Sequence, residues 1–87
     1  MRIDKYLKIS GIFKRRTLAQ TACRSGRILI NGRPAKPGDR VRVDDEITLL
    51  HPAWKMVIRV KMVPERKLPP QEELYEVLSR EKRGEDL

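Results

Sequence analysis

The sequence has few of the residues that support catalysis or metal binding. Its 87 residues include one cysteine, Cys23, and one histidine, His51. A disulfide framework needs at least two cysteines and a structural zinc site about four Cys or His ligands, so both are excluded. There is no Gly-rich phosphate loop, and Asp44-Asp45-Glu46 lacks the other ligands of a calcium loop. We therefore predict a protein that is not an enzyme and has no cofactor or metal, with Cys23 as a small core residue in a reducing cytoplasm.

Aromatic residues and long apolar runs are also scarce. One tryptophan, two tyrosines and one phenylalanine are too few to form an aromatic stacking platform for single-stranded nucleic acid. No apolar run approaches the roughly 20 residues that a membrane-spanning helix needs, so a membrane is not an expected partner.

Acidic residues are scarce in the first half of the chain only. Residues 1 to 43 hold twelve lysines and arginines against Asp4 and Asp39, whereas residues 44 to 87 hold eight against ten acids. The net charge of +8 thus comes entirely from the first half. Such asymmetry indicates a nucleic-acid partner that contacts the first half.

The first half begins with a helical pattern. Ile3 and Leu7 give a short apolar stripe that Gly11 interrupts, and a second helix is predicted over about residues 15 to 25, with Gly26 after its end. The expected buried face of this second helix consists of Leu18, Ala19, Ala22 and Cys23.

A strand pattern follows the second helix. Asn31-Gly32 is a strong signal for a tight hairpin turn after the strand at Ile28 to Ile30. Lys36 to Asp39 fits a type II turn with Gly38 at positive φ. Residues 40 to 43 predict a strand with valines inward and arginines outward, and further strands are predicted over residues 47 to 50 and 56 to 63.

The last third of the sequence predicts a linker over residues 65 to 70 and a peripheral helix from residue 71 to about 83, with residues 84 to 87 frayed. The apolar stripe of this helix would be Leu74, Val77 and Leu78. The predicted fold class is therefore α+β: two N-terminal helices packed on a small, mainly antiparallel sheet, plus the C-terminal helix. We divide the chain into a nucleic-acid-binding domain with a sheet extension, residues 1 to 63, and a linker with a helical tail, residues 64 to 87.

The run Lys14-Arg15-Arg16 stands where the second helix begins, although the helix dipole disfavours cations at that end by a few tenths of a kcal/mol each. Free backbone N–H groups at a helix start bind phosphate well. Cations beside such groups predict a phosphate clamp. Gln20 and Arg24 continue a polar ridge from Arg16 along the helix, with little to read base edges, so structured RNA fits better than DNA.

These residues resemble a known family. The segments RIDKYLK, RRTLA and SGRILING are similar in order and spacing to the αL RNA-binding domain named after protein S4 of the small ribosomal subunit. One departure is that Arg15 stands where the domain usually has Ser or Thr before the helix arginine. The chain is identified as a member of the RqcP family of ribosome-associated quality-control factors.

The resemblance implies a factor without enzyme activity that binds the rRNA of an obstructed large ribosomal subunit and its peptidyl-tRNA. It would act there with RqcH, a NEMF-type factor, during C-terminal alanine tailing, in the cytoplasm and as a monomer. Arg2 and Arg16 would be the central RNA contacts, and Asp4 either orients an arginine or serves the helix start. The full set of predicted RNA-binding residues is Arg2, Lys5, Lys8, Lys14, Arg15, Arg16, Gln20, Arg24, Arg27 and Arg33.

Two alternatives remain open at this point. One is a heat-shock type of ribosome-recycling factor that has no role in tailing, although its tail is generally longer and more basic than the acidic ending GEDL. The other is a protein-interaction module that acts through the C-terminal helix. Deletion of residues 64 to 87 would separate RNA binding from such a module, because RNA affinity should survive if the first half is the site.

Overall fold

The protein is an α+β fold in which two short helices pack beside an antiparallel sheet, as the sequence predicts, and the sheet has five strands. The structure, a computed structural model, describes residues 1–65 and 69–83. The sheet is antiparallel throughout, with strand order β2-β1-β3-β4-β5. The elements are α1 (Ile3–Ile9), α2 (Arg16–Arg24), β1 (Ile28–Ile30), β2 (Arg33–Pro34), β3 (Glu46–Leu50), β4 (Trp54–Val60), a 3-10 turn (Gln71–Glu73) and β5 (Tyr75–Lys82). Within the described ranges, no helix has the length and apolar character needed to cross a membrane.

The helix pair packs through small side chains. The buried face of α2 is made of Ala19, Ala22 and Cys23, and burial raises the pKa of the Cys23 thiol to about 11. Cys23 is thus a core residue, as predicted. The prediction for Leu18 is wrong, because 51% of this residue is exposed. At 100° per residue Leu18 lies at the edge of the stripe, in the first turn of α2, so the helices meet over a narrower face of small residues.

The predicted hairpin is confirmed at Asn31-Gly32. Asn31 has φ 50° and Gly32 φ 84°, and two successive positive φ angles are what a type I′ hairpin turn requires. Asn31 also fastens the hairpin to the start of β3. Its N–H donates to the Glu46 carbonyl (2.7 Å), its Oδ1 accepts from the Glu46 N–H (2.9 Å), and its Nδ2 donates to Asp45 Oδ1 (3.1 Å).

The segment between the hairpin and β3 differs from the prediction in two ways. The turn at Lys36 to Asp39 forms, closed by a 3.0 Å bond from the Asp39 N–H to the Lys36 carbonyl, but Gly38 does not have positive φ, so the turn is not type II. Residues 40 to 43 form no strand, only an isolated bridge between Arg40 and Arg2. Val41 is buried, whereas Val43 is 53% exposed because it lies inside a second turn, closed by a bond from the Asp45 N–H to the Arg42 carbonyl.

The predicted C-terminal helix is wrong, because residues 75 to 82 form strand β5 along the edge of β4. Without β5 the edge of β4 would leave a row of unpaired N–H and C=O groups. Pairing with β4 depends on residues distant in sequence, so a prediction from local helix propensity does not include it. A cross-strand pair supports the pairing, since Arg59 Nε donates to Glu76 Oε1 at 2.9 Å. The frayed end predicted over 84–87, and residues 66–68 of the predicted linker, lie outside the described residues.

Leu74 fixes the start of β5 to the helices. Its side chain is fully buried, and its carbonyl accepts hydrogen bonds from the Tyr6 hydroxyl of α1 and from the Lys61 and Met62 N–H groups. Leu78, in contrast, lies where the pairing of β5 with β4 shifts by one residue, so it has no partner in β4. This residue is 40% exposed. Residues 74 to 82 are therefore part of the same sheet and core, while the division of the chain at residues 63 and 64 stays a prediction.

Substitution of Leu74 and Leu78 distinguishes strand β5 from the C-terminal helix that the sequence predicts. Leu74→Ala should lower the free energy of unfolding by about 2–5 kcal/mol, because it leaves a cavity in the core. Leu78→Ala should change it by under about 1 kcal/mol, since this side chain is partly in solvent. Urea denaturation measures both. Equal losses would be the outcome of a helix that buries both leucines on one stripe, and would contradict β5.

Candidate nucleic-acid interface

A buried carboxylate joins three segments of the first half. Asp4, in the first turn of α1, is fully buried and accepts hydrogen bonds at Oδ2 from Arg2 Nη2 (3.0 Å) and Gln20 Nε2 (2.9 Å). Its Oδ1 lies 3.2 Å from Arg16 Nη2. We call these four residues the Asp4 cluster. It connects the residue before α1 with two successive turns of α2.

The two arginines of the Asp4 cluster face both inward and outward. Their side chains are 48% exposed for Arg2 and 42% for Arg16, although one Nη of each lies against the buried carboxylate. A guanidinium carries five N–H donors, so several remain directed to solvent. Asp4 therefore fixes the position of two cations without hiding them from an anionic ligand.

The electrostatics of Asp4 fit this role. Burial alone would raise the pKa of its carboxyl, but the hydrogen bond from Gln20 and the charge of Arg16 outweigh burial, so the pKa lies below its ordinary value. The carboxyl is therefore ionised at neutral pH, and its negative charge attracts both guanidinium groups. The Arg16 contact is not aligned as a hydrogen bond, and Asp4 Oδ1 has no hydrogen-bond donor within the described part of the chain.

The two helix starts differ in what they can bind. At α1 the N–H groups of Ile3 and Asp4 donate to the carbonyls of Asp39 (2.7 Å) and Pro37 (3.3 Å), so this end is closed. At α2 the N-cap residue is Arg15, which makes no side-chain capping bond, and the first turn contains no acidic residue. No described residue accepts a bond from the N–H of Arg16 or Thr17. The uncapped start of α2 is thus the end that offers N–H groups to a phosphate.

Only some of the other predicted RNA-binding residues lie near the start of α2. Lys14 and Arg15 are exposed and adjoin Arg16 in the chain, whereas Gln20 is half-buried with its amide donated to Asp4. The structure places the remaining predicted residues, all exposed, on α1, at the end of α2, after α2 and on β2: Lys5, Lys8, Arg24, Arg27 and Arg33.

Sequence reasoning left the role of Asp4 open and missed two arginines. The spacing of Asp4 and Arg16 says nothing about their contact, because it depends on how α1 packs against α2. The alternating pattern of residues 40 to 43 predicts Arg40 and Arg42 on the outer face of a strand, but in the structure they border a groove together with Arg33. No group of three or more His, Cys, Asp or Glu residues that could hold a metal occurs in residues 1–65 and 69–83.

Comparison with known proteins identifies the class first. The S4 domain model matches residues 1–47, the part that contains both helices, the hairpin and the Asp4 cluster. The chain is therefore an S4-domain protein, and the predicted αL-type fold is confirmed.

The similar proteins then identify the family within this class. The "RQC P-site tRNA stabilizing factor" of Listeria innocua is 37% identical over 98% of this chain and 94% of its own length. That of Bacillus subtilis is 38% identical over 98% of this chain and its full length. The trimeric structure of Vibrio cholerae heat shock protein 15 has a TM-score of 0.81 at 28% identity, over 91% of this chain and 82% of that one. The chain belongs to the family of RQC P-site tRNA stabilizing factors, as the sequence resemblance indicates.

The Asp4 cluster predicts a pH-dependent contribution to stability. Asp4→Asn should lower the free energy of unfolding by about 1–2 kcal/mol at pH 7, a figure that allows for the solvent around both guanidinium groups. Because the folded pKa is lowered, the difference should be complete above the unfolded value of about 4 and shrink as pH falls through the folded pKa.

Urea denaturation from pH 7 down to about pH 2.5 checks this prediction. Glu72→Gln, which removes an exposed carboxylate from the 3-10 turn, serves as the control and should have little effect at any pH. A difference between the wild type and Asp4→Asn that stays constant across this range would show that the charge of Asp4 is not what stabilises the cluster.

Proposed function

We propose that this protein binds the rRNA and peptidyl-tRNA of an obstructed large ribosomal subunit and supports ribosome-associated quality control there, without catalysing a reaction. The observation that carries the proposal is the pair of arginines fixed by buried Asp4 beside the uncapped start of α2. This arrangement suits phosphate groups better than any small-molecule chemistry.

Fixed arginines make an efficient phosphate contact. A free arginine loses side-chain freedom when it binds, whereas Arg2 and Arg16 are already held at one end by Asp4. Charge-assisted bonds from a guanidinium to a phosphate are short and directional. Contacts of this kind position an RNA backbone without reading its bases, so the protein would hold two RNA molecules in a defined geometry.

The distribution of charge agrees with one RNA-facing half. The predicted contacts all lie in residues 1 to 43, while the strands β4 and β5 come from the nearly balanced half of the chain. The relatives are named for stabilising P-site tRNA, which supports tRNA as one of the two RNA ligands. Action with RqcH in alanine tailing, a cytoplasmic location and a monomeric state belong to this proposal as well.

A second candidate is a ribosome-recycling factor of the heat-shock type. It is favoured by the match to heat shock protein 15, which extends over 91% of this chain. The two candidates differ in whether alanine tails form, so a reconstituted tailing reaction with RqcH, with and without this protein, separates them. The protein-interaction module loses its basis, because the helix on which it rests is a strand. Deletion of residues 64 to 87 is no longer a clean test either, because it would remove Leu74 from the core.

Co-sedimentation with purified large subunits tests the proposed function directly. At near-physiological salt, the protein should pellet with subunits that carry peptidyl-tRNA and much less with empty ones, because both RNA ligands are present only on the former. Equal pelleting with both particles would contradict the proposed role in quality control and leave a general RNA-binding protein.

The same assay tests the Asp4 cluster. Arg16→Ala should weaken binding about tenfold or more, the loss expected when a charge-assisted hydrogen bond is removed. Arg83→Ala removes an equal charge after β5, where the side chain contacts the His51 carbonyl, and should weaken binding less than about threefold. Arg16→Lys should recover only part of the affinity, since an ammonium cannot contact Asp4 and a phosphate in the same planar geometry. Equal effects of Arg16→Ala and Arg83→Ala would reject the assignment.

A further inference from the structure

A second basic surface lies beyond the Asp4 cluster, and Arg33 is the one predicted RNA-binding residue among its arginines. An open groove of about 540 Å³ separates the β1–β2 hairpin from the loop of residues 39 to 45. We call it the hairpin groove. Three arginines and two aspartates contribute its charged lining: Arg33, Arg40, Arg42, Asp39 and Asp45.

The two aspartates form no ion pair with the arginines of the groove, whose three positive charges outnumber the two negative ones. Asp39 Oδ2 accepts the Lys36 N–H at 2.8 Å. Asp45 Oδ2 accepts the Arg42 N–H at 2.8 Å, and its Oδ1 accepts from Asn31. Each carboxylate is therefore engaged in closing a turn. None of the ion pairs formed within residues 1–65 and 69–83 includes an arginine of the groove.

Both walls of the hairpin groove are held in place before any ligand binds. Asn31 ties the hairpin to Glu46 of β3 through two hydrogen bonds and to Asp45 of the facing loop through a third, and these set the position of one wall. The other wall is fastened to α1, because the Ile3 N–H donates to the Asp39 carbonyl and the Val41 N–H to the Met1 carbonyl (2.9 Å). A preformed groove lowers the ordering cost of binding.

The hairpin groove adjoins the Asp4 cluster. Arg40 forms a backbone bridge with Arg2, so the chain segments that carry the two sites lie side by side. The guanidinium of Arg2 also lies over the Lys36 to Asp39 turn, since a Cβ added to Gly38 would be 3.8 Å from its Cζ. Basic side chains thus continue from the start of α2 through Arg2 to the loop of residues 39 to 45.

We propose that the hairpin groove binds the phosphate backbone of RNA as a second contact, through Arg40 and Arg42 together with Arg33. The inference rests on the proposed function, because the same RNA would extend from the Asp4 cluster into the groove. An RNA strand is favoured over an acidic protein segment because the basic surface is continuous with a site built for phosphate.

The salt dependence of binding counts these contacts. Each phosphate contact on a duplex contributes about 0.9 log units of affinity per log unit of salt. The double variant Arg40→Gln/Arg42→Gln should reduce this slope by about 1–2 on an RNA stem-loop and on obstructed subunits. The double variant Lys61→Gln/Lys82→Gln removes the same charge after β4 and from β5, and should change the slope by less than about 0.5.

The outcomes separate the two proposals. Slopes that are equal for the wild type and the groove variant overturn the groove, whatever the particle. A reduced slope on the stem-loop, without preference of the wild type for obstructed subunits, keeps the groove as an RNA site and rejects the proposed function. If the Arg40→Gln/Arg42→Gln variant no longer binds a polyglutamate peptide but binds RNA as the wild type does, the groove takes an acidic peptide, and RNA is overturned as its ligand. Thermal melting checks folding, and Arg33→Gln, a single exposed change on β2, repeats the test if the double variant is unstable.

Discussion

The structure of the first half depends on the burial of one carboxylate, that of Asp4. Removing a charge from water is costly unless its hydrogen bonds and its charge are compensated. Gln20 and the guanidinium groups of Arg2 and Arg16 provide that compensation, and Gln20 and Arg16 reach Asp4 only when α1 packs against α2. The packing of the helix pair and the position of the Arg16 guanidinium are therefore set by the same contacts.

This dependence explains how cations are tolerated at the start of α2. The helix dipole disfavours Lys14, Arg15 and Arg16 there, and no acid in the first turn of α2 offsets them. For Arg16 the offset comes from Asp4 on the neighbouring helix, 3.2 Å from its guanidinium. Lys14 and Arg15 have no such partner among the ion pairs of the described residues. A bound anion would offset their unfavourable position at the helix start.

The sequence predicts those parts of the fold that depend on local signals. Gly11 and Gly26 end helices through positive φ, and Asn31-Gly32 makes a hairpin, because each conformation is set by a few adjacent residues. The failures depend on distant partners. Val77 and Leu78 have helical spacing with Leu74, yet both lie in strand β5, because the edge of β4 pairs with this segment. The candidate site divides in the same way: the resemblance singled out Arg2 and Arg16, but only the packing of α1 on α2 shows that one carboxylate holds both.

The placement of acids matters as much to this surface as the number of cations. The first half contains only two acids, Asp4 and Asp39. Asp4 is enclosed by the helix pair, and Asp39 Oδ2 accepts a backbone N–H that closes a turn, as Asp45 does at the next turn. Carboxylates that serve the fold in this way leave most guanidinium donors open to solvent. The same aspartates that shape the Asp4 cluster and the hairpin groove thus leave guanidinium donors of both open to an anionic ligand, so folding and the proposed RNA contacts depend on one set of contacts.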